Sequence, residues 1–374
     1  MTLNNRYTAL DVFRGMTICF MIIVNTPGNH LTTFAPLLHA EWDGFTPTDL
    51  VYPSFLFAVG NALCFAAQKW ANLTQAHVLA KIARRTLLLF LLGYLLYWFP
   101  FIKYDLGGHI MLKPFAQTRV FGVLQRIGLC YGIAALLVYY LKPKGVFITS
   151  VILLIAYQFI LLWFGEPGNQ LGLTGNAGTK LDWWLIGPDH LYQGEGIPFE
   201  PEGLLSTLPA ITNVVAGYLV GRFVQHFGKT WEMLARLLLA GCCMIAVAYC
   251  WDLSFPINKK LWTSSFVLYT VGLDCIILSV VIYIIDFWRK TRWTYFFEVF
   301  GKNALFIYLL SEVGAIILRA LRVKQGVNLN KWIFDHIFSF AGMYVGSLLF
   351  AIWFMLMCWL AGWLLDKRKI YIRV

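Results

Sequence analysis

Long, unbroken apolar runs dominate the hydrophobic pattern of this chain, in place of the alternating or one-faced patterns of soluble strands and helices. An α-helix rising ~1.5 Å per residue needs about 20 apolar residues to cross a hydrocarbon layer ~30 Å thick. Runs of that length predict spans at 10–28, 47–68, 84–100, 120–141, 146–164, 204–222, 234–251, 262–285, 297–318 and 340–365. The expected fold is all-α, a polytopic transmembrane helix bundle of about ten spans forming one domain over 1–374. The first span carries Asp11 and Arg14 at its entrance and lacks the small-residue cleavage site of a signal peptide, so it is expected to stay in the mature protein.

The polar segments between the runs are unequal. Turns such as Lys-Pro-Lys-Gly at 142–145 are short, whereas 29–46, 101–119 and 165–203 are long. The last is rich in Gly and Pro, holds Trp183 and Trp184, and reads either as a loop cap over one face or as an interfacial aromatic anchor. Basic residues favour the other face. With the N-terminus inside, 18 of the 30 Lys and Arg residues, from Arg6 to Arg373, fall inside and about 10 outside, so the positive-inside rule places both termini in the cytoplasm. Composition adds that no sizeable soluble domain fits: 59% of residues are hydrophobic, 13% charged, and the mean hydropathy is +0.66. The formal charge of +11 follows from topology and anionic lipid and calls for no nucleic acid. All eight cysteines lie inside predicted spans without a CxxC pair, which argues against disulfides and zinc, and no metal is expected.

Ionisable groups inside spans narrow the picture, because a charge at the bilayer centre costs at least about 2.5–3.5 kcal/mol. Asp11 and Arg14, three apart, can pair on one helix face. Arg126 follows Gln125, Asp274 sits mid-span, Lys302 and Asn303 enter the ninth span, and Glu312 comes after them. Together they imply a polar interior, with Asp274 or Glu312 as structural partners for Arg126. Five histidines, His30, His39, His109, His190 and His336, fall on the outer side. His39 stands apart from the ordinary solvated loop histidine because of the residues next to it in the chain. In His-Ala-Glu-Trp-Asp-Gly-Phe (39–45) and the Thr-Pro-Thr-Asp after it, Thr46 suits an N-cap, Pro47 the first helical position and Asp49 the first turn. His39 is thus expected near a helix start, with Asp43 and Asp49 in reach.

These residues belong to a larger set: Leu-Asp-Val-Phe-Arg-Gly-Met-Thr (10–17), Val24 and Asn25, the stretch 39–57, Gly-Val-Leu-Gln-Arg-Ile-Gly (122–128), Pro-Glu-Gly-Leu-Leu-Ser-Thr (201–207) and Gly-Lys-Asn-Ala (301–304). In content and order the set resembles the transmembrane acyltransferase family that includes heparan-alpha-glucosaminide N-acetyltransferase and the bacterial NagX-like membrane proteins. The resemblance implies an acetyltransferase that takes acetyl from cytoplasmic acetyl-CoA to a glucosamine-type amino sugar on the periplasmic side of a bacterial inner membrane. It also implies a homodimer. Two features depart from the family: its Trp-Asn-Gly is Trp-Asp-Gly here, adding an acid at Asp43, and the stretch from Asn25 to His39 is longer than in the lysosomal enzyme.

By the same resemblance His39 matches the active-site histidine and Asn25 the asparagine at the outer end of the first helix. An imidazole of ordinary pKa near 6.5 suits the base, and an amide N–H suits the oxyanion. The expected route is direct transfer in a ternary complex, with an acetyl-histidine intermediate as the competitor. Asp49, Asp43, Gln125, Arg126, Glu202 and Asn303 are expected to support the site or bind substrate, although for Glu202 a helix-entry acid is the simpler account. Arg14, Lys81, Arg84 and Arg85 stand at the level of the CoA phosphates, a position that topology alone also explains. An amino-sugar transporter without acyl chemistry is the reading from another class.

Overall fold

The computed structural model describes residues 7–104, 110–324 and 326–372, so Arg6, His109 and Arg373 lie outside it. Helices α1 (Thr8–Asn25), α2 (Pro47–Gln68), α3 (Gln75–Trp98), α4 (Val123–Tyr140) and α5 (Pro143–Phe164) follow one another as the apolar runs predict. A short α6 (Ala177–Leu185) precedes α7 (Thr207–Phe227), α8 (Trp231–Asp252) and α9 (Ser264–Ile282); then come α10 (Thr294–Lys302), α11 (Ala304–Ala320), α12 (Leu329–Ile333) and α13 (Met343–Lys367). Two small hairpins, Ile102–Tyr104 with Ile110–Leu112 and Arg322–Lys324 with Val327–Asn328, are the sheet structure among the described residues.

Among the described residues eight helices are long and apolar enough to cross a membrane, and the bent pair α10–α11 makes a ninth. The tenth expected span is α3, whose 24 residues include Lys81, Arg84 and Arg85 in the first three turns. Hydropathy finds only its apolar half, which is why the sequence places its start at 84 and not at 75. The protein is an all-α integral membrane bundle. Its outer helices face lipid as hydrocarbon demands, with Ile152 and Phe159 of α5 and Leu239 and Val247 of α8 exposed.

Helices meet in the middle of the bundle through glycines, since lipid gives apolar side chains little reason to prefer one another and close backbone approach must supply the attraction. A Cβ added at Gly60 of α2 would lie 1.9 Å from the Val214 carbonyl oxygen of α7, and one at Gly217 would lie 1.9 Å from that of Phe57. Gly15 and Gly301 do the same for α1 and α10: added Cβ atoms would lie 1.9 Å from the Phe297 oxygen and 2.3 Å from the Asp11 oxygen.

The span expected at 297–318 is not straight. It breaks by 83° between α10 and α11. Asn303 leaves the helical region there, with φ −123° and ψ 41°, and its side chain holds the chain beyond α13. Its Nδ2 donates to the Ile370 oxygen at 3.0 Å and its Oδ1 accepts from the Ile372 N–H at 2.9 Å. Because Gly301 abuts Asp11, this break, the start of α1 and the tail share one end of the bundle. Asn25 closes α1 at the opposite end, 14 residues or about 21 Å along the helix.

Candidate active site

At the end away from the termini, the residues before α2 turn His39 onto the helix start. Thr46 caps α2 and Pro47 takes the first helical position. The fully buried Asp49 carboxylate reaches back: its Oδ2 accepts from Thr46 N–H (3.0 Å), Thr46 Oγ1 (3.1 Å) and Ala40 N–H (3.1 Å), and its Oδ1 meets His39 Nδ1 at 2.7 Å. A carboxylate can only accept, so Nδ1 carries the ring proton and the lone pair is left on Nε2. The capping residues thus fix the tautomer of a histidine ten positions upstream.

Lys259, absent from the sequence expectations, completes the group. Its Nζ lies 2.9 Å from Nδ1 and 3.1 Å from Nε2 of His39, and 3.6 Å from Asp49 Oδ1. With Nδ1 committed to Asp49, Nε2 is the nitrogen left to accept from it. Partial burial and the Lys259 charge hold the His39 pKa below its ordinary value, against the hydrogen bond that Nδ1 gives to Asp49. Burial also lowers the pKa of the Lys259 amine, with Asp49 and Glu202 opposing. The ring still keeps 46% of its side-chain surface accessible.

Two loops carry these groups, and hydrogen bonds lace them together. The Gly44 N–H donates to the Ile257 oxygen at 2.8 Å, and Asn258 Nδ2 donates to Asp43 Oδ1 at 3.0 Å. Asp43, expected beside His39, therefore braces the Lys259 loop. Buried Asn258 bonds Leu261 N–H (2.8 Å) and accepts Thr263 N–H on its own backbone oxygen (3.1 Å). Trp262 follows with φ 56°, in the left-handed region a bulky side chain seldom occupies, and its indole covers Arg126 at 4.9 Å.

A second cluster borders the first. Arg119 Nε donates to Glu200 Oε2 at 2.8 Å, its Nη2 reaches Glu200 Oε1 and, at 2.6 Å, Glu202 Oε2, and its Nη1 donates to the Tyr97 hydroxyl at 3.2 Å. The guanidinium lies over the Tyr97 and Tyr192 rings at 4.8 and 4.9 Å. Burial raises the Glu200 pKa; Glu202 stays below its ordinary value because Arg119, Arg126 and Lys259 together outweigh burial. Glu202 lies within the field of Lys259 and His39.

Arg126 pairs with neither Asp274 nor Glu312. Fully buried, it gives Nη2 to the Pro201 oxygen (2.8 Å), the Gly203 oxygen (3.2 Å) and Ser206 Oγ, and so fixes the turn that presents Glu202. Asp274 takes the Ser54 hydroxyl instead. Gln125 donates to the Val120 oxygen at 3.0 Å, just before α4. Asn25 is exposed at the end of α1, where its side chain bears on the Glu312 carboxyl of α11. Tyr308 joins the two sides, within electrostatic range of Glu312, Tyr97, Tyr52 and Glu202. The structure therefore brings His39, Asp49 and Glu202 within electrostatic range of one another, and Asn25 is linked to them only through Glu312 and Tyr308. Asn303 lies at the other end.

Arg14 pairs with Asp11 at 2.8 Å, as expected from their spacing. Lys81 and Arg84 are exposed at the start of α3, whereas Arg85 turns inward over the Tyr131 ring at 4.4 Å. Its buried Nε has no hydrogen-bond partner among the described residues.

The segment 165–206 packs beside the His39 loop. Trp42 Nε1 donates to the Leu171 oxygen at 3.1 Å, the Leu204 N–H to Asp182 Oδ1 at 3.1 Å, and Tyr157, Leu161, Ala177 and Phe255 form a small core beneath α6. Burial pushes the Asp182 pKa up to about 6, and Trp184 is 81% exposed.

A helix bundle with an apolar outer face, carrying at one end a half-exposed histidine paired with a buried aspartate, is a polytopic membrane protein. Sequence comparison names the group: the family model for the catalytic region of heparan-alpha-glucosaminide N-acetyltransferase matches residues 6–237, and the chain belongs to that family. Similar proteins include the heparan-alpha-glucosaminide N-acetyltransferases of Homo sapiens, 27% identical over 367 residues covering 82% of this chain and 53% of theirs, and of Mus musculus, 25% identical over 83% and 54%. The chain spans about half the length of the curated relatives it matches. The matched region holds His39, Asn25, Asp49, Arg119 and Glu202; Lys259 and Glu312 lie beyond it.

Proposed function

We propose that this protein is a membrane acetyltransferase that passes acetyl from cytoplasmic acetyl-CoA to the amine of a glucosamine-type sugar at the opposite face. The observation that carries the reading is the 2.7 Å contact from His39 Nδ1 to buried Asp49, which leaves Nε2 as a base at the bundle end away from both termini. In this reading the sugar amine attacks in its neutral form, Nε2 takes the proton that its nitrogen gives up, and that proton passes to the departing CoA thiolate as the C–S bond breaks. Asn25, at the same end of the bundle, would supply an amide N–H to the developing oxyanion. Glu202 lies where it would meet the sugar's amine or hydroxyls, and the segment 165–203 would cap the acceptor. Lys81, Arg84 and the Nε of Arg85 fit the phosphates of CoA near the end that carries the termini. Basic-residue placement supports this sidedness, and the resemblance supports a bacterial inner membrane. Dimerisation, implied by the resemblance, belongs to the same reading and is measured by the mass of the detergent-solubilised particle.

The test is CoA release by purified wild type and His39→Ala across a panel of amino sugars. Release that needs both His39 and an amino sugar supports the reading; equal rates in the two proteins overturn it. A rise in melting temperature with the sugar and none with acetyl-CoA would point to a permease instead. Direct transfer is overturned by a hydroxylamine-labile acetyl adduct that forms without acceptor and disappears in His39→Ala.

A further inference from the structure

The acceptor in the reaction just proposed is an amine brought to His39 Nε2, and the protein already holds an amine there. Lys259 Nζ sits 3.1 Å from Nε2 on a side chain only 18% accessible, in a loop fixed at both ends by buried Asn258 and by Trp262. Two other cations near the site are committed elsewhere, Arg119 to Glu200 and Glu202 and neighbouring Lys260 to Glu195. Among the described residues Lys259 has no ion-pair partner closer than Asp49 at 3.6 Å, and that carboxylate already accepts three hydrogen bonds besides the one from His39. What holds Lys259 is the base and the Asp49 carboxylate behind it.

We propose that Lys259 is a self-acetylation site, an internal acceptor that takes the acetyl group when no sugar amine occupies the cleft. This rests on the reading of His39 as the base and of an acetyl thioester as donor. The neutral amine adds to the acetyl carbonyl through Nζ, and His39 Nε2 takes the proton that Nζ gives up. The tetrahedral intermediate collapses with cleavage of the C–S bond, and the proton goes from Nε2 to the departing thiolate. One thioester and one amine become one amide and one thiol. Burial lowers the basicity of Lys259, which supplies the neutral amine the step needs. The product has lost the charge that faced Asp49 and leaves an acetamide against Nε2, so a sugar amine no longer reaches the base.

Full-length protein in lipid nanodiscs is incubated with radiolabelled acetyl-CoA, with and without glucosamine, and acetylated lysines are located by peptide mass spectrometry. Lys260, one residue away and paired with Glu195, is the internal control for unassisted acetylation. Lys259 is expected to label well ahead of Lys260, to be protected by saturating glucosamine, and to lose about 100-fold or more in rate in His39→Gln, the range of general-base assistance. Protection by glucosamine is read on wild type, so the test survives a variant that does not fold. Labelling of Lys259 no faster than Lys260, in protein that acetylates glucosamine, overturns the proposal and leaves the transferase reading intact. Absence of both turnover and label overturns both.

Discussion

Asp49 does two things with one carboxylate: it closes the first turn of α2 and it sets the tautomer of His39. Asp49→Asn keeps the shape, but an amide N–H facing Nδ1 moves the ring proton to Nε2 and removes the lone pair the reaction needs. A fall in kcat of about 10²–10⁴-fold is expected with little change in melting temperature, measured by CoA release. The pH profile reports the other neighbours. His39 works as a base only when neutral, so activity falls as pH drops through its pKa, which partial burial and Lys259 hold below the usual 6.5 while Asp49 and Glu202 pull upward. Lys259→Met removes a charge that disfavours the imidazolium and should move the acidic limb of kcat/KM to higher pH. A limb that stays in place would show that Lys259 does not act on the ring.

His39 and Asp49 were legible because both sit in one short segment whose capping pattern is local. Lys259 and Arg119 were not, because nothing near them in sequence marks them: Lys259 meets His39 across 220 positions, and Arg119 meets Glu200 across 81. Glu200 adjoins the recognised Pro-Glu-Gly motif, and a second acid two residues before Glu202 was the one signal available for it.

At the scale of elements, the glycine contacts decide which helices touch. Even a methyl group at Gly60 would press into the Val214 carbonyl, so Gly60→Ala should lower the melting temperature sharply. Gly145→Ala, where a Cβ would meet nothing closer than 3.4 Å, should be neutral or gain up to about 1 kcal/mol from helix propensity. Thermal unfolding of the two variants side by side checks this. Arg119 is the corresponding polar fastening. Arg119→Met leaves two carboxylates facing each other, with Glu200 fully buried, and should cost about 3–5 kcal/mol. Apolar runs made the helices easy to find, because hydrocarbon length is a simple criterion. The 83° break was hidden, because apolar residues continue on both sides of Asn303 and the cause of the bend lies in the tail.

For the whole molecule, the tail and the start of α1 share one end and the His39 site occupies the other. The proposed orientation predicts opposite reactivity for cysteines placed at the two ends. In intact cells Trp184→Cys, on the exposed face of α6, should react with a membrane-impermeant maleimide, while Lys369→Cys should react only after permeabilisation. The reverse pattern would put the site in the cytoplasm and remove the need for transfer across the bilayer.

The link between Asn303 and the tail also bears on the order in which the protein is made. Ile370 leaves the ribosome 67 residues after Asn303, which at about 5–20 residues per second is a delay of roughly 3–13 seconds. Through that interval the bend has glycine packing against α1 but not its hydrogen bonds to the tail. The helix bearing Glu312 is therefore fastened last, so a nascent chain acquires its His39–Asp49 pair well before this half of the bundle is fixed.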